Sequence, residues 1–222
     1  MNVWIIFSIF CFLVLVICFI YLLKKSGDIL HNLEYTAWES LSDALQSENF
    51  HKTSEIRLNK TIYCKTKNDY IPNVIVSVDT VGERLAVSYI SEEIKNEKNV
   101  ITGYKLASDY FNFSEITGGQ ILTGGRASRS IGSAVGTASN GFGTALTSGT
   151  SYATVRSMQY MISLNNIDKP TYTFNIFNEE IMESSPAYKS YTEKANSLDA
   201  LIRRIVQQNE EKAKEKNKDT QS

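Results

Sequence analysis

The groups in this chain whose types could do chemistry are few and scattered. Cys64 is the lone thiol outside the N-terminal apolar run, and His31 and His51 stand at no motif spacing from it. A cysteine nucleophile needs a base brought to it, and a structural metal needs several Cys, His or carboxylate ligands at short spacing. Neither pattern occurs, and no G-x-S-x-G, H-E-x-x-H or dinucleotide fingerprint is present. Glu92-Glu93 and Glu179-Glu180 are adjacent carboxylates in polar surroundings, a pattern of solvated loops more than of acid–base pairing. The reading is therefore a protein without catalytic residues, metal or cofactor.

Binding chemistry is better represented. Lys60, Lys65 and Lys67 flank the first strand-like segment; lysine point charges at such a place can hold phosphate or lipid headgroups. Gly124-Gly125-Arg126, with Arg129, offers backbone N–H groups and guanidinium for an anion, although no Gly-Lys-Ser/Thr follows, so it is no Walker A loop. Nine of the 12 glycines fall between Gly118 and Gly149. Within this stretch Gly132-x-x-x-Gly136 permits close helix approach, hence self-association. Arg126, Arg129 and many hydroxyls make its unaided membrane insertion costly. Two readings stay open: a flexible insert between strands, or a helical hairpin touching the membrane or another copy.

The elements that position these groups begin with an anchor. Val3 to Leu23 carries no charge. As a helix its 21 residues rise about 31 Å, close to the roughly 30 Å of bilayer hydrocarbon. Trp4 and Tyr21 sit near the ends, where amphipathic rings favour the interfaces. The uncharged N-terminus, the long apolar run and the lack of a small-residue cleavage site argue against a signal peptide. Lys24 and Lys25 are the nearest flanking charges, which predicts an outer N-terminus and a cytoplasmic C-terminal domain. The bulk charge, −1 from 23 basic and 24 acidic residues, excludes a basic nucleic-acid binder.

Residues 28 to 47 read as a juxtamembrane helix capped by Asp28, with an apolar stripe through Leu30, Leu33, Ala37, Trp38, Leu41 and Leu45. That stripe could face its own domain, the membrane surface or a second copy. From about residue 60 the period changes to two. Val74, Val76 and Val78 alternate, Thr80-Val81-Gly82-Glu83 turns, and Leu85, Val87 and Tyr89 return. Val100–Leu106, Tyr110–Phe113, Ile116–Leu122, Ala153–Leu164 and Thr171–Phe177 follow as further strands. Ser185-Pro186 starts a helix with a stripe through Tyr191, Ala195, Leu198, Ile202 and Ile205. The expected organisation is an anchor over 1–25, a stem over 26–57, a β domain over 58–208 with a glycine-rich insert over 118–150, and a polar tail over 209–222.

The succession Phe111-Asn112-Phe113-Ser114-Glu115-Ile116, a glycine-rich stretch, Met161-Ile162-Ser163-Leu164-Asn165-Asn166, Pro170, Tyr188-Lys189 and a closing helix resembles a poorly characterised bacterial and phage-associated family. Its members carry a pleckstrin-homology-like β domain, often with a short SHOCT module. The resemblance covers roughly residues 60 to 206. It implies an α+β fold, a split β-barrel closed by the C-terminal helix, and supplies no catalytic residues. The functional expectation is a binding or scaffold module tethered at the cytoplasmic face of a bacterial inner membrane, with an unknown protein partner and no nucleic acid. The competing classes are a self-assembling membrane protein and an anionic-headgroup sensor.

Overall fold

The computed structural model describes residues 3–125, 127–131 and 150–219. Helix α1 runs unbroken from Val3 to Glu39. The helix start predicted at Asp28 is thus corrected: the chain stays helical through Ser26-Gly27. A mid-helix glycine costs only about 1 kcal/mol relative to alanine, too little to break a helix of this length. Instead of capping, Asp28 turns its carboxylate to Lys65, at 3.7 Å. From Phe10 to Leu23 the side chains are exposed among the described residues; Leu15 is 68% exposed and Phe12 66%. This one helix is long and apolar enough to cross a membrane. It ends at a turn where the Ser40 hydroxyl donates to the Ala37 carbonyl at 2.7 Å, and α2 (Leu41–Ser47) follows.

Four strands then form an antiparallel meander, β1 (Ser54–Cys64), β2 (Asp69–Asp79), β3 (Arg84–Lys95) and β4 (Ile101–Asn112), in the spatial order β1-β2-β3-β4. The β2–β3 turn is organised by buried Asp79. Its carboxylate accepts from the backbone N–H groups of Gly82 (2.7 Å) and His51 (3.1 Å), and from Arg84 Nη2 (3.2 Å). Burial alone would raise the pKa of Asp79; the two N–H groups and the guanidinium outweigh it and hold the carboxyl below its usual range.

A 3-10 turn, Phe113–Glu115, redirects the chain into a second sheet of β5 (Ile116–Gly124), β8 (Ser157–Leu164) and β9 (Thr171–Phe177), ordered β5-β8-β9. Between β5 and β8, β6 (Ala127–Ile131) and β7 (Thr150–Val155) pair with each other, and the two-residue β10 (Ile181–Met182) adds to β7. The long strand predicted over Ala153–Leu164 is therefore two, parted at Arg156, opposite Gly125 with its left-handed φ of +68°. Three glycines assigned to the insert, Gly118, Gly119 and Gly124, lie inside β5. At Gly119 the reason is packing: a Cβ there would run into the ring and hydroxyl of buried Tyr160.

Helix α3 (Pro186–Asp219) opens on a Ser185 cap, whose hydroxyl accepts from the Tyr188 N–H at 3.1 Å. It continues well past the predicted end of its stripe. Asn209 donates to the Phe113 carbonyl at 2.6 Å, and Lys212 pairs with Glu83, so polar side chains extend the docking after the apolar ones stop. Among the described residues the two main sheets do not join into a closed barrel.

The first sheet is buried on both faces. Its inner face, with Val74, Val76, Val78, Leu85 and Val87, packs against Tyr160, Ile162, Phe174 and Ile176 of the second sheet and Leu198 and Ile202 of α3. Its outer face, with Ile71, Ile75 and Ala86, packs under Trp38, Leu41, Leu45 and Phe50. Of the three partners open to the stem stripe, the domain itself takes it.

Candidate functional site

The period-two alternation that builds the first sheet does not hold its four strands together along their whole length. β2 and β3 pair only from Val74 opposite Tyr89 to Asp79 opposite Arg84. The β1–β2 arm continues beyond that point to Cys64 opposite Asp69, and the β3–β4 arm to Lys95 opposite Ile101. The sheet therefore forks. In the fork lies a cleft of about 620 Å³, within the range of small-molecule sites.

α1 contributes Glu34 to its lining, the two arms contribute Lys60, Asn73, Tyr89, Glu93, Tyr104 and Asp109, and β9 contributes Tyr172, Phe174 and Asn175. Asn73 Nδ2 donates to the carbonyls of Asn175 (3.0 Å) and Ile176 (3.1 Å), fixing the floor between β2 and β9. The Tyr172 hydroxyl donates to Asp109 Oδ2 at 2.7 Å. Burial first, then neighbouring carboxylates, raises the phenol pKa of Tyr89, Tyr104 and Tyr172: Asp109 acts on Tyr89 and Tyr172, Glu34 and Glu93 on Tyr104. All three stay protonated near neutrality, each with a hydroxyl proton able to be donated. With three carboxylates against one ammonium, the lining is net acidic and aromatic, suited to holding a cationic or hydroxyl-bearing group.

The lysines singled out in the sequence are each met by a carboxylate of α1. Lys60 pairs with Glu34, Lys65 with Asp28 at 3.7 Å and Lys67 with Glu39 at 2.8 Å. The Glu39 hydrogen bond raises the pKa of Lys67. These pairs lay the stem across the first sheet. Arg129 lies in β6, its backbone opposite Tyr152. Arg126, Gly132 and Gly136 lie outside the described residues. Trp4 falls within α1; Tyr21, Lys24 and Lys25 are exposed on it.

Cys64 is buried, its Sγ 3.3 Å from the Thr66 hydroxyl, and among the described residues no three His, Cys, Asp or Glu side chains gather as metal ligands. Sequence reasoning missed the cleft. Tyr89 shares the alternation of Leu85 and Val87, but the register at which β2 and β3 part leaves no mark in either strand. No family model, curated protein or solved structure matches the chain.

Proposed function

We propose that this chain is a membrane-tethered binding module, its domain a pleckstrin-homology-like sandwich held at the cytoplasmic face of a bacterial inner membrane, acting by binding rather than catalysis. The observation that carries the reading is the continuity of α1. The same helix that is apolar enough to span a bilayer supplies Trp38 to the outer core and Glu34 to the cleft. The cleft is thereby held at a set height and angle near the membrane, which raises its effective concentration toward membrane-bound partners. The order of a four-strand meander, a three-strand sheet and a closing helix supports the pleckstrin-homology-like assignment. The engagement of Lys60, Lys65 and Lys67 by α1 favours this reading over headgroup sensing by those lysines.

Two measurements test it. A reporter fused after Ser222 should be active in its cytoplasmic form; activity only outside the membrane reverses the topology. A photo-crosslinking residue in place of Tyr104 should yield a discrete adduct in cells, and the adduct should vanish when Asp109→Ala is added. An adduct that survives Asp109→Ala would move the binding surface elsewhere.

A further inference from the structure

The lining of the fork cleft suits either a cation or a hydroxyl-bearing molecule, and the balance of charge decides between them. Three carboxylates belong to that lining. Glu34, on α1, is neutralised by Lys60. Glu93, on β3, is neutralised by Lys95 of the same strand at 2.9 Å. Asp109, on β4, has no ion pair among the described residues. Its half-buried side chain is met by phenols instead: Oδ2 accepts the Tyr172 hydroxyl at 2.7 Å, and Tyr89 stands beside it. The cleft thus holds one uncompensated negative charge, drawn partly out of water, where a carboxylate ordinarily finds a cation.

The walls point the same way on independent grounds. Tyr89, Tyr104, Tyr172 and Phe174 all line this cleft, from three different strands. Aromatic faces attract organic cations, the more so where water is excluded. Val74 and Ile90 add apolar surface to the same lining, which suits a hydrocarbon stem.

These features narrow the ligand further. One net charge matches one cation. The Tyr172 hydroxyl already occupies Oδ2 of Asp109, which leaves Oδ1 for one strong hydrogen bond. That suits the point charge of an ammonium better than a guanidinium, whose planar fork is best met by both oxygens of a carboxylate. A neutral sugar would leave Asp109 without a counter-charge. We propose that the fork cleft binds an alkylammonium group, its charge against Asp109 and its stem along the aromatic wall. The inference rests on the binding-module reading, whose ligand it specifies. A lysine side chain of a partner protein and a free alkylamine share this chemistry.

The test is calorimetric titration of the full-length protein in nonionic detergent micelles. The probes are N-acetyl-lysine methylamide, n-butylamine, N-acetyl-arginine methylamide and, as the uncharged control, N-acetyl-norleucine methylamide. At least one of the two ammonium probes should bind saturably, and the norleucine control about tenfold or more weaker. The tighter ammonium identifies the source: the lysine probe for a partner protein, butylamine for a free amine. Asp109→Asn keeps an acceptor for Tyr172 and removes the charge, so it should abolish binding; Asp109→Ser supplies the same test should the asparagine variant misfold. Tyr104→Leu should weaken binding without erasing it. Absence of saturable binding by both ammonium probes, equal binding of the norleucine control, tighter binding of the arginine probe, or undiminished binding by the folded Asp109 variants overturns the proposal. The crosslink at position 104 reports separately on the binding module: an adduct in cells without ammonium binding overturns the alkylammonium alone, and ammonium binding without an adduct overturns the partner-binding reading alone.

Discussion

The first sheet carries two cores, and they differ in what they belong to. The inner core is made by the domain from its own strands and α3; Leu85, Val87, Ile162, Ile176, Leu198 and Ile202 are all fully buried there. The outer core takes half its residues from the end of α1, from α2 and from the residues just after it, through Trp38, Leu41, Leu45 and Phe50. The inner core makes a domain. The outer core makes the last turns of α1 part of that domain, from Glu34, buried within it, onward.

The largest effect is expected inside. Replacing both Leu198 and Ile202 with Asp forfeits about 1.5–3 kcal/mol of burial for each and adds two buried charges. The cooperative thermal transition of the full-length protein should disappear. A double variant that melts like the parent would mean that α3 does not close the inner core.

Next comes the outer core. Trp38→Ala should cost about 3–5 kcal/mol, as for other buried tryptophans. If the stem merely rests on the sheet, the change in chemical-denaturation midpoint will be negligible, and the two cores are not comparable. Trp38→Phe should restore most of the loss, because the Trp38 indole N–H is buried without a partner.

Asp79 ties both regions to the distal turn, through Gly82 and Arg84 on one side and His51 on the other. Asp79→Ala should cost about 1–3 kcal/mol. The folded-state pKa of Asp79 is lowered, so its contribution is complete above the unfolded value of about 3.9 and is lost as pH falls through the folded value. The stability gap between parent and variant should therefore narrow in acid. A gap independent of pH down to strongly acidic conditions would assign the loss to packing alone.

The smallest effect belongs to the rim of the outer core. Lys65 is 59% exposed in its pair with Asp28, and Lys65→Ala should change stability by less than about 1 kcal/mol. Salt titration of the parent should show a comparably small loss. A larger one would make charge, rather than Trp38 and its neighbours, the main force holding stem to sheet.

What could be read in advance followed from local period. Val74, Val76 and Val78, or Tyr191, Ala195, Leu198 and Ile202, repeat at a spacing that one element imposes, and they were assigned to the correct faces. Ser54–Leu58 was missed although Ile56 and Leu58 alternate with Glu55 and Arg57, because charged residues on an edge strand look like a loop. The fork depends on where two strands stop pairing, a relation between distant segments. Lys60, Lys65 and Lys67 look free in the sequence, and only tertiary placement shows them engaged by Glu34, Asp28 and Glu39.

The apolar segment of α1 runs into the domain without a joint, and such a helix transmits angle as well as position. Each residue added between Leu23 and Asp28 advances the helix by 1.5 Å and turns everything beyond it by about 100°. One inserted alanine would swing the fork cleft to a different bearing about the membrane normal while hardly changing its height. Four would bring it nearly back into phase, one turn higher. Under the proposed tethering the fork cleft would keep a compass heading, and any partner fixed in the same membrane would respond to insertions with the periodicity of the helix, not with their length.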